Sequence, residues 1–339
     1  MHRFWTSIIR PALDALRPRV VVEIGSREGH LTRPLLEWCA GNEAVAHVID
    51  PLPPQDLEAW QQEFGEVLVF HRELSLTALP RVHDAGAVLI DGDHNWYTVF
   101  NELSLLAGQA EGREERFPLV FLHDLEWPYG RRDLYYEPDT IPEGHRRPAQ
   151  RLGLRPDEPG LSAGAGINAG FFNAVREDGE RNGVLTAVED FMEETDLSLT
   201  LTRVSGFHGL GVLISEGRLR ANPEVSLVIE SIRPSEALEL HLKATERARI
   251  DERLAVESLR EELRTVRSRL RAQVKKSSAL SEKNTALRRT NISMTEKNAE
   301  LAGRNSELSR LNERLARESR AIRGSAWYRV GRAVARRLR

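Results

Sequence analysis

Apolar and polar positions fall into two regimes along the chain. Up to about Glu216, short apolar runs occur at 20–24, 44–49, 67–70, 87–90 and 119–122, and stretches of helical periodicity at 31–40, 56–64 and 96–106 separate most of them. Runs this short and this apolar suit strands buried on both faces. Their alternation with helices predicts parallel strands joined by crossovers. A further helix at 184–194 precedes strands at 199–204 and 209–214, whose short connection predicts a hairpin at one sheet edge. The expected fold class is α/β: a Rossmann-like, mostly parallel seven-stranded sheet with helices on both faces, followed by a long α-helical coiled coil.

The second regime begins near Ser235 and repeats every seven residues. One position reads Leu259, Val266, Gln273, Leu280, Leu287, Met294, Leu301, Leu308, Leu315 and Ile322. Three residues earlier come Val256, Leu263, Leu270 and Ser277, then Asn284, Asn291, Asn298, Asn305, Asn312 and Ser319. Leucine at d with asparagine at a favours a parallel, in-register homodimer, because facing amides hydrogen-bond across the seam at some cost in stability. The expected organisation is a domain over 1–218 with an insertion over 125–182, a linker over 219–237, a coiled coil over 238–323 and a basic tail over 324–339. Asn222-Pro223 and Arg233-Pro234 punctuate the linker.

Composition narrows the function. A net charge of −3 over 339 residues does not describe a nucleic-acid binder, although the stretch from Arg323 to Arg339 carries arginines and no acid. The single cysteine, Cys39, excludes an intrachain disulfide framework and lies among Leu35, Leu36 and Trp38 as core filler. Met1-His2-Arg3-Phe4-Trp5 has no apolar signal run, and no stretch of about eighteen apolar residues predicts a membrane span. A cytoplasmic protein is expected. Its tail, with Trp327, Val330 and Val334 among arginines, suits the inner face of a membrane or a contact with a membrane-bound glycosyltransferase.

Candidate chemistry gathers at strand ends. Glu23-Ile24-Gly25-Ser26-Arg27-Glu28-Gly29 closes the first strand and opens a helix, where glycine admits a ligand near free backbone N–H groups. Glu23 offers a carboxylate to a cationic amino group, and Asp50 ends the second strand, where ribose hydroxyls are read. The loop through Ser75 is placed to cover an adenine. A dinucleotide-binding dehydrogenase would want a third glycine where Thr32 stands. This segment resembles the class I S-adenosylmethionine (SAM)-dependent methyltransferases. The resemblance implies that Glu23, Gly25 and Gly29, with Ser26 in the turn, line the methionine end of SAM, and Asp50 the ribose.

The fourth and fifth strands end in Asp91-Gly92-Asp93-His94 and His123-Asp124. Two carboxylates and two imidazoles at adjoining strand ends can hold a divalent ion or move a proton. The pair resembles the bacterial group that includes macrocin O-methyltransferase and the cephalosporin hydroxylases, over roughly Val20 to Ile214. That resemblance implies Mg²⁺ on Asp91 and Asp124, while His123 departs from the second Asp of metal-dependent relatives. The expected reaction is in-line displacement of the SAM methyl by an acceptor oxygen, a sugar or glycan hydroxyl or that of a small secondary metabolite. His94 or His123 is the base, and Asp91 and Asp124 orient it or bind the ion. Arg131-Arg132, Tyr135-Tyr136 and His145-Arg146-Arg147 in the insertion are expected to form a lid gripping the acceptor. The competing reading is a catalytically inactive Rossmann-like domain serving as a coiled-coil scaffold.

Overall fold

The computed structural model describes residues 1–164 and 166–337. They divide into two units, Met1–Glu261 and Glu262–Arg339.

The first unit is built on seven strands: β1 (Val20–Ile24), β2 (Val45–Ile49), β3 (Leu68–His71), β4 (Ala87–Ile90), β5 (Leu119–His123), and the late pair β9 (Leu199–Val204) and β10 (Leu210–Ser215). Their order is β3-β2-β1-β4-β5-β10-β9. The first five run parallel, and β10 is antiparallel to both β5 and β9. Side chains of period two serve two separate cores. Val21, Ala46, Val48, Leu89 and Phe121 pack with helices α1 (Arg10–Leu16), α2 (Thr32–Gly41) and α3 (Leu57–Phe64). Val22, Ile90, Val120 and Leu122 pack with α4 (Ser75–Ala78), α5 (Trp96–Ala110) and α6 (Val184–Glu194). Both faces are therefore covered, which is why the strands read as continuous apolar runs. This is the Rossmann-like architecture expected from the sequence, with an antiparallel hairpin at one edge of the sheet. The order reverses between β1 and β4, so the ligand crevice of such a sheet opens at their carboxyl ends.

Three segments beyond the parallel strands take a definite form. Most of the 219–237 stretch is helical: α7 (Glu216–Ala221) is followed by α8 (Pro223–Ile232), whose Val225 and Ile229 are buried in the α1–α2 core, and only residues 233–235 separate α8 from the next helix. Pro223 occupies the first helical turn, where its missing N–H costs nothing, so it starts a helix instead of breaking one. The insertion is an ordered layer, with β6 (Leu134–Tyr135), β7 (Ala149–Gln150) and β8 (Phe172–Ala174) paired antiparallel in the order β6-β8-β7. The long helix α9 (Glu236–Gly324) does not begin as a free coil. Its Ile250 and Leu254 are buried with Tyr129, Leu134, Leu154 and Ile167 of the insertion.

The insertion is tied to the sheet through buried polar groups. One oxygen of Asp133 accepts from Trp96 N and Gly183 N, each at 2.7 Å, so a single carboxylate serves the amino ends of α5 and α6. Its other oxygen accepts from Tyr135 Oη at 2.7 Å. Arg132, fully buried, donates to Ala174 O and to Pro159 O at 2.5 and 2.9 Å.

The second unit comprises the remainder of α9 and α10 (Ala326–Arg337). At 1.5 Å per residue its part of α9 extends about 95 Å. The heptad leucines lie bare along it, Leu280 at 55 % exposure and Leu308 at 57 %. No helix among the described residues is long and apolar enough to cross a membrane.

Candidate active site

A cavity of about 400 Å³ opens at the carboxyl ends of β1, β4 and β5. Glu23, Gly25 and Ser26 line it from the first strand end, Asp91 and His94 from the fourth, and His123 and Asp124 from the fifth. Sheet pairing puts these ends side by side, since β1 pairs β4 and β4 pairs β5. The residues read as chemistry at the three strand ends thus meet in one site.

Glu23 is 1 % exposed, and neither carboxylate oxygen has a hydrogen-bond partner. Burial dominates, and the nearby Asp91 and Asp50 charges add to it, so the pKa is pushed up to about 8. A carboxyl without partners at the base of a cavity is costly in itself and matches a cationic group from outside.

Asp50 has another occupation. Its Oδ2 accepts from Ser26 N, Ser26 Oγ and Arg27 N at 2.8, 3.0 and 3.0 Å, and its Oδ1 accepts from Leu52 N at 2.8 Å. It therefore holds the Gly25–Gly29 turn in shape and keeps spare acceptor capacity only on Oδ1. It does not line the cavity. Neither do Gly29 and Ser75. A Cβ on Gly29 would fall 2.1 Å from the Trp60 ring, so this glycine serves the packing of α3 on the turn. Gly25 does face the cavity, but its φ of +90° and the approach of Asp91 O, 2.4 Å from a Cβ placed there, are what require glycine. Ser75 opens α4.

The acid–imidazole group is compact. His123 Nδ1 lies 3.0 Å from Asp91 Oδ1 and 3.0 Å from Asp124 Oδ2. Asp91 Oδ2 also accepts from the Met1 amino group at 2.7 Å. Burial would lower the His123 pKa, but the two carboxylates outweigh it and push it up to about 10. Burial alone would raise both Asp91 and Asp124; the His123 charge holds them below the usual carboxylate range. The two carboxylates thus favour the charged form of His123. His94 Nδ1 stands 3.4 Å from Asp124 Oδ2, and its ring stacks on Tyr129 with centroids 5.8 Å apart. Asp124 reaches both rings from a left-handed backbone conformation, φ +60°, which aspartate tolerates better than most residues.

Asp91, His123 and Asp124 place ligand atoms within 4.8 Å of one another. Two carboxylates and an imidazole make a mixed donor set, and the nitrogen between the carboxylates fits poorly with a hard Mg²⁺ ion, which prefers oxygen ligands.

None of the insertion's arginines lines the cavity. Arg131 pairs with Glu189, Arg132 is interior, and Arg147 donates to the Glu180 and Arg181 carbonyls. Its contributions to the cavity are Tyr129, Leu134, Tyr136, Asn168 and Phe171. Residues that no motif marked complete the wall: Met1, His2 and Arg3 at the amino terminus, Phe207 and His208 in the β9–β10 turn, and Arg249 and Arg253 on α9. Glu246 holds that turn against α9, accepting from Phe207 N and His208 N at 2.9 and 3.0 Å. A signal for α9 was present in the heptads. Continued backward from Val256 they reach Arg249 and Glu252, while the apolar Ile250 and Leu254 fall out of phase.

No family model matches the sequence, and no curated protein is significantly similar to it. Solved structures are distantly similar to the chain. A Burkholderia thailandensis 1,6-didemethyltoxoflavin-N1-methyltransferase with bound S-adenosylhomocysteine (SAH) is 16 % identical, over 62 % of this chain and 80 % of its own, with a TM-score of 0.34. An SAH-bound methyltransferase from Podospora anserina is 13 % identical over 61 % and 76 %, TM-score 0.39. Human N-acetylserotonin methyltransferase with SAM is 13 % identical over 64 % and 53 %, TM-score 0.35.

Proposed function

We propose that the first unit is a SAM-dependent methyltransferase acting on a hydroxyl oxygen, with a sugar or glycan as acceptor. The observation that carries this reading is Glu23, a buried, unpartnered carboxyl beside the glycine turn at the point where the strand order reverses. An inactive scaffold would have no use for so costly a group. Glu23 takes the amino group of the cofactor, and the turn held by Asp50 presents Ser26 and Arg27 at the same end. SAM, when bound, supplies an electrophilic methyl group.

The rest is done by side chains at β4 and β5. Asp124 orients the His94 ring through Nδ1, and the other ring nitrogen takes the acceptor's proton as its oxygen attacks. His123, protonated between Asp91 and Asp124, is no base; it fixes the two carboxylates in place. Tyr129, Tyr136 and Phe171 exclude water from the reacting face.

The test is transfer of labelled methyl from SAM to candidate glycans, with and without chelator. Transfer should persist with chelator and fail in His94→Gln, while SAH affinity stays within about twofold. Transfer that requires added Mg²⁺, or that survives the substitution at full rate, contradicts this assignment.

For the second unit we propose a parallel homodimer through the bare leucine seam, with α10 lying on anionic lipid at the inner face of the membrane. Trp327 is 87 % exposed, Val330 and Val334 share its stripe, and Arg329, Arg332 and Arg336 fall on the opposite side of the helix. Co-sedimentation with phosphatidylglycerol vesicles, absent with phosphatidylcholine and lost in Trp327→Ala, is the expected result. Equal binding to both lipids refutes it.

A further inference from the structure

Arg249 and Arg253, one helical turn apart on α9, line the same cavity as His94 and Asp124. Their direction is fixed by their neighbours. Ile250 and Leu254 are buried against the insertion, which sets the rotation of α9 about its axis and turns the two arginines to the cavity. Arg249 is steadied by Glu246 at 2.6 and 2.7 Å and by His208 Nε2 at 3.2 Å. Arg253 reaches only Asn168 Oδ1, at 3.4 Å, and has no carboxylate partner among the described residues.

A run of contacts connects Arg253 to the reacting centre. Asn168 donates to Tyr129 Oη at 2.8 Å, Tyr129 stacks on His94, and His94 meets Asp124. Tyr136, 40 % exposed, leans on His94 at 6.0 Å and on Phe171 at 5.3 Å. An acceptor whose hydroxyl meets His94 therefore lies along an aromatic wall that ends in an uncompensated guanidinium. Arginine presents parallel N–H donors that match an oxyanion.

Resting on the methyltransferase reading, we propose that Arg253, supported by Arg249, is an anion subsite, and that the acceptor is a sugar carrying an oxyanion, either a phosphate ester or a carboxylate. The subsite fixes which hydroxyl faces His94. It also makes the start of α9 part of the acceptor site.

The experiment is calorimetry on the full chain. SAH binding is measured first; glucose 6-phosphate, glucuronate and glucose are then titrated with SAH present and absent. At least one anionic sugar should bind about tenfold or more tightly than glucose, and the tighter of the two identifies the oxyanion. Arg253→Ala should remove that preference, Arg253→Lys should keep part of it, and both should leave SAH affinity within about twofold. Equal binding of glucose and the anionic sugars, no binding of either anionic sugar, or an unchanged preference in Arg253→Ala overturns the proposal. Absence of SAH binding counts against the methyltransferase reading alone, because the sugar titrations without SAH still test the subsite.

Discussion

Replacing Glu23 by glutamine removes a group that the fold holds neutral. Its pKa rises from 4.5 to about 8 because it is buried without partners. Between those values the native state keeps a proton that the unfolded chain has lost. The wild-type protein is therefore favoured below pH 4.5 and loses stability steadily as pH rises toward 8. A tenfold change in proton affinity corresponds to about 1.4 kcal/mol, so holding the proton at pH 7 costs ~3 kcal/mol. Glutamine does not titrate, although its buried amide carries a pH-independent cost of about 1–3 kcal/mol. The slope is thus diagnostic and the offset is not. Urea unfolding of the two proteins without cofactor, from pH 5 to 7.5, should show Glu23→Gln gaining on wild type by roughly 1.4 kcal/mol per pH unit. His123, whose raised pKa stabilises below its ordinary 6.5 and is lost as pH rises toward about 10, acts in both proteins and cancels in the difference. A difference that stays flat with pH would show Glu23 ionised in the free protein and remove the main reason to expect a cationic ligand.

Three further outcomes are expected. Gly29→Ala sets a Cβ 2.1 Å from the Trp60 ring at φ +76° and should cost about 1–3 kcal/mol of stability; an unaffected unfolding midpoint contradicts the packing role. Burial would raise the pKa of Glu246, but Arg249 and the two N–H groups hold it down at about 2, so its contribution is present above pH 4.5 and lost as pH falls toward 2. Glu246→Gln should accordingly flatten the acid-unfolding profile in that window, and an unchanged profile would refute the clamp. Leu287→Arg with Leu301→Arg on the seam should halve the mass seen by sedimentation, and an unaltered mass would contradict the dimer.

Much of the fold was legible because its strands are buried on both faces. Runs such as Val20–Ile24 have no polar face to confuse with a helix, and they fell where the sheet has them. The hairpin of β9 and β10 was legible from its short connection. The insertion was not, since its order comes from Arg132 and Asp133, buried polar residues whose partners lie far along the chain. Polar residues of that kind look like solvent-facing loop in a sequence. The same limit applied to the site. Asp50, Gly25 and Gly29 do belong to a turn at a strand end, yet sequence does not say whether a glycine admits a ligand or a tryptophan ring. Arg249 and Arg253 looked like the charged surface of a long helix, and only the phase of Ile250 and Leu254 distinguished them.

The claim at the centre is that the cavity beside Glu23 and Gly25 takes SAM. Calorimetric titration of the full chain with SAH tests it directly. The account predicts one SAH per chain and a weakening of about tenfold or more in Glu23→Gln, which leaves the ligand's ammonium without its charged partner. Binding should also release a proton at neutral pH, as Glu23 passes from the neutral to the ionised form. No heat at millimolar SAH from folded protein would contradict the account.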